Sequence, residues 1–167
     1  IDCTLRDGGY YNNWDFSNIL VNDYLKSMAL SGIRYVELGF RSLNKKGFKG
    51  PTWYTTDNYI NNLNVPKKLK LGVMINMSEF LYSGRQLKKK VNLLFKKKNK
   101  SKITFVRIAA HYKEFTLALE MCHLLQLKGY FVCINLMQIS EQSNENISLL
   151  LKKLNRIKPD VLYFADS

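Results

Sequence analysis

Arg6 and Asp7 stand side by side behind a short strand-like run, Ile1-Asp2-Cys3-Thr4-Leu5, and directly before Gly8-Gly9. Apolar and polar residues alternate over positions 1–5, which predicts a strand, and the two glycines permit a sharp exit turn. An adjacent guanidinium and carboxylate at a strand's C-terminal end can divide two tasks. The carboxylate oxygen suits a hard divalent cation, while the always-charged arginine faces the oxyanion that develops on a substrate carbonyl. The plainer alternative is an ion pair that closes a loop.

The rest of the chain supplies elements that could position such a pair. Strand-like runs at 1–5, 35–38, 70–75, 104–109, 131–136 and 161–165 alternate with helical patterns, as in a parallel α/β fold. Val21, Leu25, Met28 and Ala29 mark the buried face of a first helix; a second, near 56–63, is weak and polar. Leu87, Val91, Leu94 and Phe95 mark a third, Phe115, Ala118, Leu119 and Cys122 a fourth, and Ile147, Leu150, Leu151, Leu154 and Ile157 a fifth. Gly32 and Gly129 fall where helix C-caps belong. Strand ends recur at roughly 30-residue intervals, the size of a βα unit, so about six units fill the chain and eight close a barrel. A doubly wound open sheet is the alternative, but the first βα junction lacks a phosphate-binding GxGxxG turn.

In a (β/α)8 barrel the chemistry gathers where strands end. The residues there are Arg6 and Asp7, Glu37, Asn76, His111, Asn135 with Gln138, and Asp166 with Ser167. Each has an ordinary reading as a loop or cap residue. One shared pocket would require them to converge.

Asp2-Cys3-Thr4-Leu5-Arg6-Asp7-Gly8-Gly9 resembles the first-strand motif of the metal-dependent lyases and aldolases related to hydroxymethylglutaryl-CoA lyase (HMGL-like), isopropylmalate synthase and 4-hydroxy-2-oxovalerate aldolase. Glu37, within Tyr35-Val36-Glu37-Leu38-Gly39-Phe40, stands where that family carries a second-strand glutamate. Val106-Arg107-Ile108-Ala109-Ala110-His111 and Asp166-Ser167 are similar to further strands of the hydroxy-oxo-acid aldolases, which makes His111 and Ser167 substrate contacts. The resemblance implies a TIM barrel, here incomplete, with residues 1–167 as one truncated catalytic domain. It also implies an aldol or retro-aldol reaction on a 4-hydroxy-2-oxo acid through a metal-bound enolate. Mn2+ or Mg2+ would sit on Asp7, Arg6 would stabilise the enolate oxygen, and Glu37 would orient Arg6.

Two departures from the family pattern bear on this expectation. Tyr10 occupies the position of the family's histidine base, and a phenol titrates near pH 10, so it would serve as an acid or orient a water unless its surroundings lower that value. His111 and His123 are the two histidines of the chain, so a His-x-His metal pair is expected beyond Ser167, and activity would belong to the complete protein rather than to this chain alone. Competing readings are a Claisen-type acyl-CoA lyase or synthase relative, and a catalytically silent barrel used as a binding module. Small-molecule partners would be a 2-oxo acid and an aldehyde; a homo-oligomer or a partner dehydrogenase is compatible.

Composition narrows the class. At 167 residues and 46% hydrophobic content the chain can bury one sizeable core. It carries a net charge of +13, of which +11 lies in residues 67–102. There Lys88, Lys89, Lys90, Lys96, Lys97 and Lys98 surround an apolar helical stripe, as on a solvated helix face; the segment contains no RNA-binding motif, which argues against nucleic acid. No apolar run reaches membrane-spanning length and no signal-peptide pattern opens the chain, so the expected location is cytoplasmic. Ile1 already lies within a strand pattern, which implies preceding residues. Cys3, Cys122 and Cys133 form no CxxC pair and read as reduced thiols.

Overall fold

The computed structural model describes residues 1–81, 86–154 and 156–166. Five of the expected strands form: β1 (Tyr35–Phe40), β2 (Lys70–Asn76), β3 (Ile103–Ala110), β4 (Phe131–Leu136) and β5 (Val161–Phe164). They lie in one open sheet in sequential order, with β1 parallel to β2 and β4 parallel to β5. Parallel neighbours need long crossovers, and helical segments provide them: α3 (Pro51–Tyr54) and α4 (Asp57–Asn61), α5 (Leu87–Leu94), α6 (Phe115–Gln126) and α7 (Asn144–Lys153). The strands are apolar on both faces, and Val36, Leu38, Leu71, Val73, Ile103 and Ile134 are fully buried.

The expected first strand is the main correction. Residues 1–5 contribute one bridge, at Asp2, which donates its N–H to the Tyr35 carbonyl at 2.9 Å and accepts the Glu37 N–H at 2.8 Å. From Thr4 the chain is helical, in α1 (Thr4–Asn12), so Arg6 and Asp7 sit on a helix. The Asp2 carboxylate accepts the Thr4 N–H at 3.0 Å, and this local bond offers the backbone an alternative to further strand pairing. Gly8 and Gly9 lie inside α1 and make no turn; the turn falls on Asn13 and Trp14, at φ 58° and 60°.

Other elements follow the periodicity. Ser17 caps α2 (Asn18–Leu30) by accepting the Leu20 N–H at 3.2 Å, and Val21 and Leu25 face the core while Met28 and Ala29 are half-buried. Gly32 and Gly129 adopt φ of 78° and 90°, conformations that glycine takes without steric cost. Phe115, Ala118, Leu119 and Cys122 are all buried on α6. On α5, Leu87, Val91 and the following Phe95 are buried, and Lys88 and Lys89 are exposed. The fifth helical stripe is only partly realised: Leu150 alone is buried on α7, Leu151 is exposed, and Leu154 and Ile157 lie past the helix end at Lys153.

The chain packs as two compact units, Ile1–Met74 with Lys98–Phe105, and Ile75–Lys97 with Val106–Ser167. Among the described residues, no helix is long and apolar enough to cross a membrane.

Asp2 also ties α1 to α2, because the Tyr24 hydroxyl donates to its carboxylate. Burial alone would raise the Asp2 carboxyl, but the bonds from Tyr24 and Thr4 outweigh it and hold the group below its ordinary value of 3.8. Its contribution to stability is therefore complete above that value and lost as pH falls toward the lower, folded one. Tyr24→Phe is expected to cost about 1–2 kcal/mol at pH 7 and to flatten the acid limb of stability below about pH 4. Thermal melts across pH check this; an acid limb identical to the parent's would contradict it.

Candidate active site

Glu37 lies in the middle of β1 with its side chain fully buried. A carboxylate without solvent needs a compensating charge, and Arg6 supplies it from α1: Arg6 Nε donates to Glu37 Oε1 at 2.6 Å. On the other side Arg6 Nη1 meets Asp7 Oδ1 at 2.7 Å, and here exposure differs sharply, 60% for Asp7 against 13% for Arg6. Burial pushes the Arg6 guanidinium down, but the Glu37 and Asp7 carboxylates more than offset it and leave the group raised above its ordinary value. The result is a permanent cation clamped between one buried and one solvent-facing carboxylate. The register of β1 against β2 shifts between Glu37 and Gly39, a bulge-like irregularity that re-aims the strand just beyond the glutamate.

An aromatic cluster supports the clamp. The Phe40 ring, at the end of β1, lies 5.8 Å from the Arg6 guanidinium carbon. Tyr10, one helical turn after Arg6, meets Trp14 edge-on at a centroid distance of 4.7 Å and is 65% exposed. Trp14 is buried and contacts Phe40 and Trp53, and its Nε1 donates to the Arg6 carbonyl at 2.9 Å. A Cβ on Gly9 would overlap the Trp14 indole, so the second glycine of the motif serves close packing. Lys49 sets its ammonium 5.0 Å from the Trp14 ring and 5.5 Å from the Trp53 ring. Nearby, buried Arg41 donates to the Thr55 carbonyl and to Asp57, fixing the turn between α3 and α4. None of Trp14, Phe40, Trp53, Lys49 and Arg41 stands out by chemistry in the sequence. The Gly9 to Trp14 spacing and the Asn12-Asn13 pair, a residue type tolerant of positive φ, are the readable signals.

Thus Arg6, Asp7, Tyr10 and Glu37 come together within the first compact unit. His111, Asn76, Asn135, Gln138 and Asp166 belong to the second, and Ser167 lies outside the described residues. His111 is exposed at the N-cap of a short 3-10 turn, its backbone N–H donating to Glu114 Oε2 at 2.9 Å, so a capping role accounts for its position. It also borders a cavity of about 470 Å³ with Tyr112, Met137, Gln138 and Glu141. Asp166 accepts the Ser140 N–H at 2.9 Å, which holds its carboxyl below the usual range.

Asp7 is the exposed carboxylate of the cluster, and two carboxylates against one guanidinium leave it a net charge of −1. Among the described residues, however, no group of three His, Cys, Asp or Glu side chains is arranged to hold a metal ion. A divalent cation needs more oxygen or nitrogen ligands than Asp7 alone offers, so these residues do not fit it by themselves.

No protein-family model matches the chain, and no curated protein matches it. Among solved structures it is similar to one described as "Crystal structure of the N-terminal domain of a putative aldolase from Bacteroides vulgatus", with a TM-score of 0.82 and 28% identity. The fold is aldolase-like. The alignment takes in 98% of this chain and 52% of the other, so the chain spans about half the length of that neighbour.

The clamp is asymmetric in energy. Arg6→Ala would strand the fully buried Glu37 carboxylate and is expected to cost about 3–5 kcal/mol, whereas Asp7→Ala removes an exposed partner and should cost about 1 kcal/mol or less. Urea unfolding of the two variants measures the difference; equal losses would refute a buried Arg6–Glu37 pair.

Proposed function

We propose that this chain forms part of an HMGL-like aldolase, a carbon–carbon lyase that cleaves a 4-hydroxy-2-oxo acid. The observation that carries this reading is the Arg6 guanidinium of α1 clamped between Asp7 and the buried Glu37 of β1, in a chain with an aldolase-like fold. In the complete protein the sheet would close as a (β/α)8 barrel. Its small-molecule partners would be a 2-oxo acid and an aldehyde, with a homo-oligomer or a partner dehydrogenase as the wider assembly.

The chain's own contribution is electrostatic. When a base removes the proton of the 4-hydroxyl, the C3–C4 bond breaks, the hydroxyl carbon leaves as the aldehyde, and the electron pair moves onto the 2-oxo oxygen. Arg6 spends one N–H on each carboxylate, and its other guanidinium donors would meet that oxygen as negative charge develops. Reprotonation at C3 then yields the 2-oxo acid. Glu37 keeps the guanidinium fixed, so little reorganisation accompanies the charge shift. Tyr10 borders the same cluster and would act as a proton donor or orient a water. The resemblance alone would add His111 and Ser167 as substrate contacts. Mn2+ or Mg2+ is the proposed cofactor, with Asp7 one ligand and the others supplied from outside the described residues.

A second reading, a catalytically silent barrel that binds without turnover, is favoured by Tyr10 at the base position. Kinetics of the whole protein separate the two. Arg6→Lys keeps the charge but loses the planar fork, so kcat for cleavage of a 4-hydroxy-2-oxo acid should fall about a hundredfold while Mn2+ affinity holds. Asp7→Asn should weaken Mn2+ binding in a calorimetric titration and be partly rescued by excess ion. Lys88→Gln, Lys89→Gln and Lys90→Gln together should leave turnover within about twofold, since the helix of a βα unit packs on the outside of a barrel. A whole protein with no cleavage activity toward such acids would favour the silent barrel instead.

A further inference from the structure

We infer that Trp14 is a positioning residue for Arg6, holding both its main chain and the ring against which its guanidinium lies; this rests on the aldolase reading and adds a residue to it. Trp14 Nε1 donates to the Arg6 carbonyl at 2.9 Å, and the same indole packs 5.6 Å from Phe40. One side chain thus touches both supports of the guanidinium.

The backbone at this point ends α1 in a left-handed turn. Asn13 and Trp14 are consecutive non-glycine residues in the left-handed region, at φ 58° and 60°. Such conformations are costly and persist where the surroundings over-determine them. The surroundings do so here. The Asn13 carbonyl accepts the Gly50 N–H at 2.8 Å, the Trp14 carbonyl accepts the buried Thr52 hydroxyl at 2.9 Å, and the Trp14 N–H donates to the Gly9 carbonyl at 3.0 Å. Lys49 adds a bond to Asn13 Oδ1 at 2.9 Å and lies over the indole. The turn places the indole against α1, in space that only a glycine at position 9 leaves open.

Trp53 provides the internal control for the main-chain bond, because it too packs on the Phe40 ring, at 5.0 Å, but donates its indole N–H to the Asn44 carbonyl and not to Arg6. The test uses the whole protein and two readouts, solvent exchange of the Arg6 Nε–H by 15N NMR and steady-state cleavage of a 4-hydroxy-2-oxo acid. Trp14→Phe should accelerate the exchange and lower kcat by about tenfold or more with KM little changed, whereas Trp53→Phe should move neither beyond about twofold. Thr52→Val, which releases the Trp14 carbonyl without changing side-chain shape, should reproduce the faster exchange if Trp14→Phe does not fold. Exchange that is unchanged in a folded Trp14→Phe or Thr52→Val protein overturns the inference, as does an equal effect of Trp53→Phe. Arg6→Lys keeps the two questions apart: if it turns over like the parent the aldolase reading fails, and the exchange measurement alone judges Trp14.

Discussion

The buried Glu37 carboxylate is the constraint on which the candidate site depends. A charge in the middle of a strand, fully removed from water, is tolerable only with a partner of opposite sign held at hydrogen-bond distance. Arg6 is that partner, so α1 must dock where this arginine, in its first turn, reaches β1. The requirements then propagate outward. The Asp2 bridge to β1 fixes the chain just before α1, the Asp2 carboxylate takes the Thr4 N–H, and the Asn13-Trp14 turn ends the helix against α3. Apolar residues of similar size at these two positions could pack as well, since buried ion pairs are seldom stabilising relative to them. The pair therefore makes better sense as a device that fixes a cation in place.

That device explains why an arginine suits the position. Its fork lets one nitrogen serve Glu37 and another serve Asp7 without rotation, and its flat face can lie against Phe40. Lysine offers a single point charge that would have to choose between them. The adjacency of Arg6 and Asp7 in sequence is compatible with this only because Arg6 turns inward to Glu37 while Asp7 stays at the solvent side.

Much of this was legible in the residues, and what was not has identifiable causes. The strands from β1 to β5 were readable because their apolar runs are bounded by clear turn and cap signals, Gly32 and Gly129 among them. The Arg6–Glu37 association came from the resemblance rather than from spacing, since nothing in a sequence pairs positions thirty-one residues apart. Residues 1–5 misled because alternation over so short a stretch cannot be told from a helix start, and the Asp2 side-chain bond to the Thr4 N–H favours the local turn. The aromatic support was invisible for another reason. Trp14, Phe40 and Trp53 look like ordinary core residues, and their role follows from a left-handed turn that sequence marks only by two asparagines.

The placement of Asp7 and Tyr10 on one helix gives the site its character. Residues after a strand would be carried by a loop free to adjust, but residues on α1 keep fixed mutual directions, with Arg6 and Tyr10 on one face and Asp7 turned about 100° away. The inward face is committed to Glu37 and the aromatic cluster, so the functional surface is what remains: the outer edge of the guanidinium, the exposed Asp7 carboxylate and the exposed Tyr10 ring. Toward solvent the helix shows mainly the Asp7 carboxylate and the Tyr10 ring, while the guanidinium is largely covered. The two ion pairs hold the guanidinium from both sides, so the helix carries a fixed positive charge whose position depends on the buried Glu37 rather than on a mobile loop.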